Sequence, residues 1–482
     1  MIFSKDLLLQ AFAHAQFFCN GTELNQQDPW DFYYQNNETS VAVDSRILQP
    51  NELFFALSGN TTDGHTFLSQ AHKAGAAAFI VHTFGKQEQD LLSPALIGNK
   101  LIIKVDDTTQ ALFSLAKAWR ARLSCPVVGI TGSIGKTSTK EMMRSILQHA
   151  GIRFFVSHKN QNTFTGLCIN LLRVPQDCEV AAFEVGISKP GEMDIKADIL
   201  QPTLGLVTSV AHAHLLEFET LANISHEKRR LFKHFQAQDV GIIFGDQPLL
   251  TDAYYFHPIA KFGFKTKNQV QARKIKIVTD TTTGACSTEF VIKWYGEKAL
   301  IQMKNNHVGL VHNALAASTI AYFLKIPFAT VIKGIQAYEG FENRFETKPI
   351  KGSRGVIISD CYNANPESMK AAIIAFDKMS SMGKKIVVLG DMLELGDKQA
   401  FWHRQIGRIL GKTETIAAAV LVGENARMIA KTAPEELEIA WAPSWQEAQE
   451  HLEKLLPQKD ALVLVKASHG MVLHNIVDAI TQ

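Results

Sequence analysis

Along the first hundred residues, short apolar runs alternate with turn-rich stretches. Ser40–Val43 and Leu53–Leu57 read as short extended runs. Ala71–Ala78 has helical character and leads into the apolar run Ala77–His82. Asp90–Asn99 is polar and contains a proline, and Leu101–Val105 opens a new strand. This pattern predicts a small mixed α/β unit with a boundary near residue 103. Downstream the pattern becomes an alternation of strands and helices. Pro126–Thr131 is a β-rich apolar run that ends in glycines and opens into Lys136–Ala150, which has helical spacing. Val180–Val185 and Gly205–Val210 are further short buried strands. Strands separated by helices imply a mostly parallel sheet covered on both faces. In Val270–Lys304, Ile and Val alternate with Lys and Thr, which predicts antiparallel strands, and Asn313–Leu324 returns to helix.

A third unit begins near residue 339. Gly355–Ser359, Lys385–Gly390, Ala418–Gly423 and Ala461–Lys466 are four apolar strands separated by helical stretches. That alternation is the mark of a doubly wound, Rossmann-like domain. The expected fold class is therefore α/β in three domains: a small mixed α/β domain at 1–103, a central parallel-sheet domain at 104–338 whose Gly132-Ser-Ile-Gly-Lys-Thr137 turn reads as the P-loop of an ATPase domain, and a Rossmann-like domain at 339–482. In such sheets ligands bind at the carboxyl ends of the strands. Asp360, Gly390-Asp391, Gly423-Glu424 and Lys466 fall there.

Composition narrows the function. The chain has 482 residues, 49 Lys+Arg against 47 Asp+Glu, and 46% hydrophobic residues, an ordinary globular balance. Near-neutral charge argues against broad nucleic-acid binding, which needs a basic face. No run approaches the roughly 18 apolar residues of a membrane span, and the N-terminus lacks the layout of a signal peptide. The six cysteines are scattered, with no C-x-x-C pair and no zinc spacing. Reduced thiols in a cytoplasmic enzyme are the expectation, with monomer as the default state.

The most informative stretch is Val127-Val-Gly-Ile-Thr-Gly-Ser-Ile-Gly-Lys-Thr-Ser-Thr139. A buried strand feeds a glycine turn, and Gly135-Lys136-Thr137 opens a helix. Phosphate binding needs small residues so that backbone N–H groups can point inward, and it uses the positive end of a helix dipole. Gly132, Ser133, Ile134, Gly135, Lys136, Thr137 and Ser138 are the candidate ATP loop. Lys136 would reach the β- and γ-phosphates, and the Thr137 hydroxyl would touch Mg²⁺. The strict pattern G-x-x-x-x-G-K-[ST] fails at Ile130. Such a loop says only that a nucleotide binds.

Glu184 ends the apolar run Val180-Ala-Ala-Phe-Glu184 and offers Mg²⁺ a hard oxygen. Val210-Ala-His212-Ala-His214-Leu215 carries two histidines, either of which could face a metal or a phosphate. Lys228, in His226-Glu-Lys-Arg-Arg230, reads on composition as part of a solvated basic face.

Taken together these residues resemble a known family. Thr131-Gly-Ser-Ile-Gly-Lys-Thr-Ser-Thr139 resembles the ATP loop of the Mur ligases, T-G-x-x-G-K-[ST], which accounts for the failed strict pattern. Asp360-Cys-Tyr-Asn-Ala-Asn-Pro-Glu-Ser-Met369 and Val388-Leu-Gly-Asp-Met-Leu-Glu-Leu-Gly396 resemble motifs of the branch that adds a D-alanyl-D-alanine dipeptide. Asp44-Ser-Arg46, Leu53-Phe-Phe-Ala-Leu57 and Asp63-Gly-His65 look like that branch's nucleotide-sugar domain.

The resemblance implies an ATP- and Mg²⁺-dependent ligase working through an acyl phosphate. Its substrates would be UDP-N-acetylmuramoyl-tripeptide (UDP-MurNAc-tripeptide) and D-Ala-D-Ala, and its product a cell-wall precursor. Lys136 and Thr137 keep their phosphate and metal roles and Glu184 its metal role. The family's histidine falls on His214, and its carbamylated lysine, able to support a second Mg²⁺, falls on Lys228. Asn313, Arg344, Asp360, Tyr362, Asn363 and Asn365 are implied on the nucleotide side. Ser45 and Arg46 are implied at the UDP-sugar, and Asn160, Asn162, Lys466 and Ser468 near the other substrates. The chain departs from the family at Thr163, Arg230, Gly309-Leu310, Asn343 and His469. A sister ligase adding a single amino acid, a folate-type glutamate ligase, a nucleotide switch and a degenerate ligase remain the alternatives.

Overall fold

The computed structural model describes residues 3–19, 22–25, 27, 40–59, 62–82, 100–158, 163–279, 286–304, 308–352, 355–381, 383–456 and 460–481. The polar stretch 90–99 and the candidates Asn160 and Asn162 lie outside them. Contacts divide the chain into two compact units. One comprises Met1–Gly129, Arg153–Gly186 and Asp194–Thr203, and the other Ile130–Ile152, Ile187–Met193 and Leu204–Gln482.

The first unit is built on β1 (Gln16–Cys19), β2 (Thr22–Glu23), β3 (Val41–Ala42), β4 (Leu53–Phe55), β5 (Ala78–Val81) and β6 (Leu101–Lys104), in the order β2-β1-β6-β5-β4-β3. β3 to β6 are parallel, while β1 pairs antiparallel with both β2 and β6. The apolar runs face a core that includes Phe54, Phe79, Leu68 and Ile102. The helix expected at Ala71–Ala78 is instead Leu68–Lys73. Its end turns back at Ala74 and Gly75, whose N–H groups donate to Gln70 and His72 carbonyls. Ala78 onward belongs to β5, where an unbroken apolar run buried on both faces is favoured.

Helix Thr108–Arg122 is N-capped by Asp107, whose carboxylate accepts from the Thr109 and Gln110 N–H groups at 2.7 and 2.9 Å. Trp119 of this helix is buried and donates from Nε1 to the Val174 carbonyl at 3.1 Å. The unit also contains the start of β7 (Val127–Thr131), beside β9 (Val180–Glu184) and β8 (Phe154–Val156).

In the second unit the end of β7 continues through β10 (Leu204–Val207), β11 (Val240–Phe244), β12 (Ile259–Gly263), β13 (Val270–Thr279), β14 (Cys286–Trp294) and β15 (Glu297–Met303). β10 to β13 pair in parallel, and β13, β14 and β15 form the antiparallel extension expected from their alternation. Helix Lys136–Ala150 packs against helices Val308–Phe323 and Phe328–Gln336.

A separate sheet in this unit runs β16 (Glu346–Pro349), β17 (Val356–Ser359), β21 (Ala461–Lys466), β18 (Lys384–Gly390), β19 (Ile416–Val422), β20 (Glu438–Ala442). All its pairings are parallel except β16 with β17. The four strands expected here are β17, β18, β19 and β21. The two unforeseen ones are the edges: β16 reads Glu-Thr-Lys-Pro with no apolar run, and β20 carries only the short run Ile439-Ala-Trp-Ala442, most of it half-buried.

Candidate active site

The second unit carries the phosphate loop at the carboxyl end of β7. Gly132 and Gly135 have φ of +147° and +87°. A Cβ at Gly132 would sit 1.8 Å from Thr208 Oγ1, and one at Gly135 2.4 Å from Asn313 Oδ1. Both positions therefore require glycine for conformation and for space.

The loop is strapped to the segment after β10. Ser133 N donates to the Ser209 carbonyl at 2.9 Å, and Ile134 N to Ser209 Oγ at 3.1 Å. Thr208 Oγ1 donates to the Ile134 carbonyl at 2.6 Å. Lys136 Nζ donates to the Gly132 carbonyl at 2.9 Å, so the ammonium lies over the loop. Asn313 is buried and accepts from Thr139 Oγ1 at 3.3 Å, bracing the first turn of the helix. Its place against the loop survives the family departure at Gly309-Leu310.

Arg344 reaches the loop from a distant part of the sequence. Its Nη2 donates to Thr137 Oγ1 at 2.9 Å, and its guanidinium lies 4.1 Å from the Tyr362 ring centroid. Its Nε is buried and has no hydrogen-bond partner among the described residues. A guanidinium with a spare buried donor beside a phosphate loop suits an anion. Asn343 and Phe345 on either side have φ of +56°. Asparagine is among the residues that tolerate this conformation best after glycine, which explains how Asn343 stands where the family has glycine.

At the ends of β17 and β21, Lys466 Nζ lies 2.7 Å from the Asp360 carboxylate and donates to the Asn363 carbonyl at 3.1 Å. Tyr362 faces the departing residue His469, ring centroids 5.9 Å apart. Two candidates are committed to the scaffold. Asn365 caps helix Pro366–Asp377, its side chain accepting from Ser368 N at 2.8 Å in a capping box. Ser468 Oγ accepts from Leu393 N at 2.9 Å and is buried.

His214 sits in the left-handed region, φ +58°, with Nδ1 2.5 Å from Glu394 Oε2. That contact holds the Glu394 carboxyl below the usual carboxylate range. His212 pairs through Nδ1 with Glu367, and its ring lies 4.3 Å from that of Trp402. Glu367 and Glu394 both lie inside the motifs quoted above, but nothing local in the sequence marks either as a histidine partner. Lys228, in helix Leu221–Arg229, is buried, as is Glu227, which accepts from Met193 N at 2.8 Å. This run is therefore no solvated basic face. The buried positions Ile224, Ser225, Glu227 and Lys228 share the run with exposed His226, a division that a composition of charged residues hides.

In the first unit, Glu184 is buried at the end of β9, its N–H donating to Ser157 Oγ at 3.2 Å. Ser45 is buried and donates to Gln70 Oε1 at 3.0 Å. Arg46 is exposed and paired with Asp44 at 2.7 Å, and this contact holds the Asp44 carboxyl below its ordinary value.

Three family models match the chain: the Mur ligase family catalytic domain over residues 39–120, the Mur ligase middle domain over 130–321, and the Mur ligase glutamate ligase domain over 343–469. The chain is 34% identical over 463 residues to the UDP-N-acetylmuramoyl-tripeptide–D-alanyl-D-alanine ligase of Bacillus subtilis (strain 168), covering 95% of each. The protein of the same name from Escherichia coli (strain K12) is 29% identical, with 81% of this chain and 82% of that one covered. Among solved structures, MurF from Acinetobacter baumannii aligns with a TM-score of 0.82 at 25% identity, covering 99% of this chain and 98% of that one. MurF ligase from Thermotoga maritima, solved in complex with ADP, aligns with a TM-score of 0.77 at 23% identity, covering 94% and 98%. With a relative above 30% identity matched over nearly its whole length, and with the phosphate loop and motifs in place, the chain belongs to the Mur ligase family.

Proposed function

We propose that this chain is the ATP-dependent ligase that joins D-alanyl-D-alanine to UDP-MurNAc-tripeptide, releasing ADP and phosphate and giving the pentapeptide precursor of peptidoglycan. The observation that carries the reading is Arg344 donating to Thr137 at the phosphate loop with a further buried donor to spare, in a chain matched to such a ligase over 95% of its length.

The reaction needs a leaving group, because a carboxylate is a poor electrophile. A carboxylate oxygen of the tripeptide attacks the γ-phosphorus, and the bond to ADP breaks. The dipeptide amine then attacks the acyl carbon, loses a proton, and expels phosphate. Charge neutralisation dominates such a step. The loop amides and Lys136 hold the β- and γ-phosphates, and Arg344 offsets charge on the transferring group. Asp360, Tyr362 and Asn363 serve the nucleotide side, where Asn365 acts by fixing the chain, and Ser468 does the same beside Lys466 on the substrate side.

For Mg²⁺ the second unit offers the Thr137 hydroxyl and the first unit the Glu184 carboxylate, each a hard oxygen, and this ion takes few protein ligands beside phosphate and water. When bound it neutralises phosphate charge. His214 is the third candidate at this ion, with Nδ1 already committed to Glu394. Carbamylation of Lys228, which would turn a buried ammonium into an anion, belongs to the same proposal. So do Ser45 and Arg46 at the UDP-sugar, Lys466 at the third-domain substrate end, and the division into domains at 1–103, 104–338 and 339–482. Among the described residues no helix is long and apolar enough to cross a membrane. A monomer in the cytoplasm completes the proposal.

The test is phosphate release from ATP and Mg²⁺ with each substrate omitted in turn. Release that requires both UDP-MurNAc-tripeptide and D-Ala-D-Ala, with the pentapeptide identified by mass, is the expected result. Release that needs neither substrate, or that accepts a single amino acid in place of the dipeptide, would overturn it.

A further inference from the structure

The segment 210–212 is tied to three parts of the second unit. Val210 exchanges two hydrogen bonds with the Gln247 side chain, both 2.8 Å. Ala211 exchanges two with Ser133 of the phosphate loop: its N–H donates to Ser133 Oγ at 3.0 Å, and its carbonyl accepts from that hydroxyl at 3.2 Å. His212 holds the Glu367 carboxylate at both oxygens. Its N–H donates to Oε2 at 3.1 Å, and Nδ1 meets Oε1.

Glu367 is in the first turn of helix Pro366–Asp377, directly after the segment Asp360–Asn365. That segment is itself rigidly held. Lys466 binds Asp360 and the Asn363 carbonyl, and Ser468 Oγ donates to the Ala364 carbonyl at 3.4 Å. The imidazole of His212 also packs on Trp402. The Trp402 Nε1 is buried with no hydrogen-bond partner among the described residues, so ring packing rather than its own polar group sets its place.

A continuous run of contacts therefore leads from Ser133 through Ala211, His212 and Glu367 to the Asp360–Lys466 end of the last sheet. A half-exposed ion pair adds little to stability, about 0–1 kcal/mol. Two-point recognition, by contrast, fixes distance and angle. Phosphoryl transfer is sensitive to placement, and a misplacement of about 1 Å can cost roughly a hundredfold in rate.

We propose that His212 and Glu367 are a positioning pair that holds the phosphate loop and the Asp360–Lys466 end of the last sheet in one fixed relation during phosphoryl transfer. This rests on the ligase reading above. Neither side chain needs to touch the reacting atoms.

The test uses the full chain with ATP, Mg²⁺, UDP-MurNAc-tripeptide and D-Ala-D-Ala. His212→Ala and Glu367→Ala are each expected to lower kcat about tenfold, the equivalent of about 1.4 kcal/mol in the barrier. ATP affinity, measured separately by calorimetry, should stay within about twofold, and the urea midpoint should hold. The double variant should lose no more than Glu367→Ala alone, which already removes both the side-chain and the backbone contact of His212 with the carboxylate. His212→Asn, which keeps an N–H donor near the position of Nδ1, should recover most of the rate. Should His212→Ala fail to fold, Glu367→Gln keeps the side-chain volume and one acceptor oxygen, and an intermediate kcat is expected. Unchanged kcat in the single variants, additive losses in the double one, or a loss confined to KM for ATP would overturn the pair's role. A wild-type chain that ligates nothing would overturn the ligase reading, and the pair's role with it. A wild type that ligates alongside unaffected variants overturns the pair alone.

Discussion

Arg344 joins two parts of the site that are more than two hundred residues apart in the chain. Its guanidinium is oriented by Tyr362, spends one donor on Thr137, and keeps Nε buried and unpaired. On the proposed reading, replacing it by alanine removes a charge from where phosphoryl transfer concentrates negative charge. Arg344→Ala should lower kcat by about a hundredfold, in line with the loss of one preorganised donor, as read in the coupled phosphate assay. A full-rate variant would show that the arginine serves only to hold Tyr362.

Gly132 makes a different demand. An added methyl would collide with Thr208 Oγ1, which is itself bonded to the Ile134 carbonyl, so the loop has to open. Gly132→Ala should abolish the thermal shift caused by ATP while leaving the fold intact by circular dichroism. A normal ATP shift in that variant would mean that the loop can re-form around the methyl.

At the scale of elements, the loop after β18 shows how a buried histidine can hold structure. His403 on helix Gln399–Leu410 is fully buried. Its Nε2 accepts from Met392 N at 3.0 Å, and Nδ1 lies 2.8 Å from the Gln399 carbonyl. Accepting at Nε2 while Nδ1–H donates to the carbonyl needs the neutral ring, since protonation at Nε2 would remove the acceptor, and burial holds its pKa below the ordinary 6.5. Because the folded value is depressed, this contribution is fully present above about pH 6.5 and is lost as pH falls through the folded value. Urea midpoints should therefore drop more steeply on acidification in wild type than in His403→Phe. Parallel curves would show that His403 does not carry this dependence. The same loop presents Glu394 to His214, so His403 helps to place a contact of the candidate site.

Helix Pro366–Asp377 begins with a capping box that engages Asn365. Asn365→Ala should cost about 1 kcal/mol of stability, seen as a lower urea midpoint. Its effect on ATP affinity should be smaller than that of Arg344→Ala, because the Asn365 oxygen is already bonded to Ser368 N. If ATP binding fell more than stability, Asn365 would be a ligand contact after all.

For the molecule as a whole, ligand binding to the native state alone must raise stability by mass action. ATP at about a hundredfold excess over its dissociation constant should add about 2.7 kcal/mol. This is measurable as a shift of the melting temperature that Lys136→Met removes. A shift that survives in Lys136→Met would place the nucleotide elsewhere.

Much of this architecture is legible along the chain. The phosphate loop, the strand ends carrying Asp360 and Lys466, and the antiparallel extension at 270–303 follow from local spacing. A glycine turn after a buried strand and a period-two alternation are each written in adjacent residues. Edge strand β16 is not legible, since Glu-Thr-Lys-Pro has no apolar run, and the four apolar residues of β20 are too short a run to separate an edge strand from a buried turn. Nor is the burial of Lys228, since charge in a sequence does not say which face a helix turns inward. Pairings between distant segments, Arg344 with Thr137, His212 with Glu367 and His214 with Glu394, are absent from the linear pattern altogether. Motifs confined to one turn or one strand end are set by bonds and sterics a few residues long. A partner hundreds of residues away is chosen only when packed sheets and helices bring the two side chains within hydrogen-bonding distance.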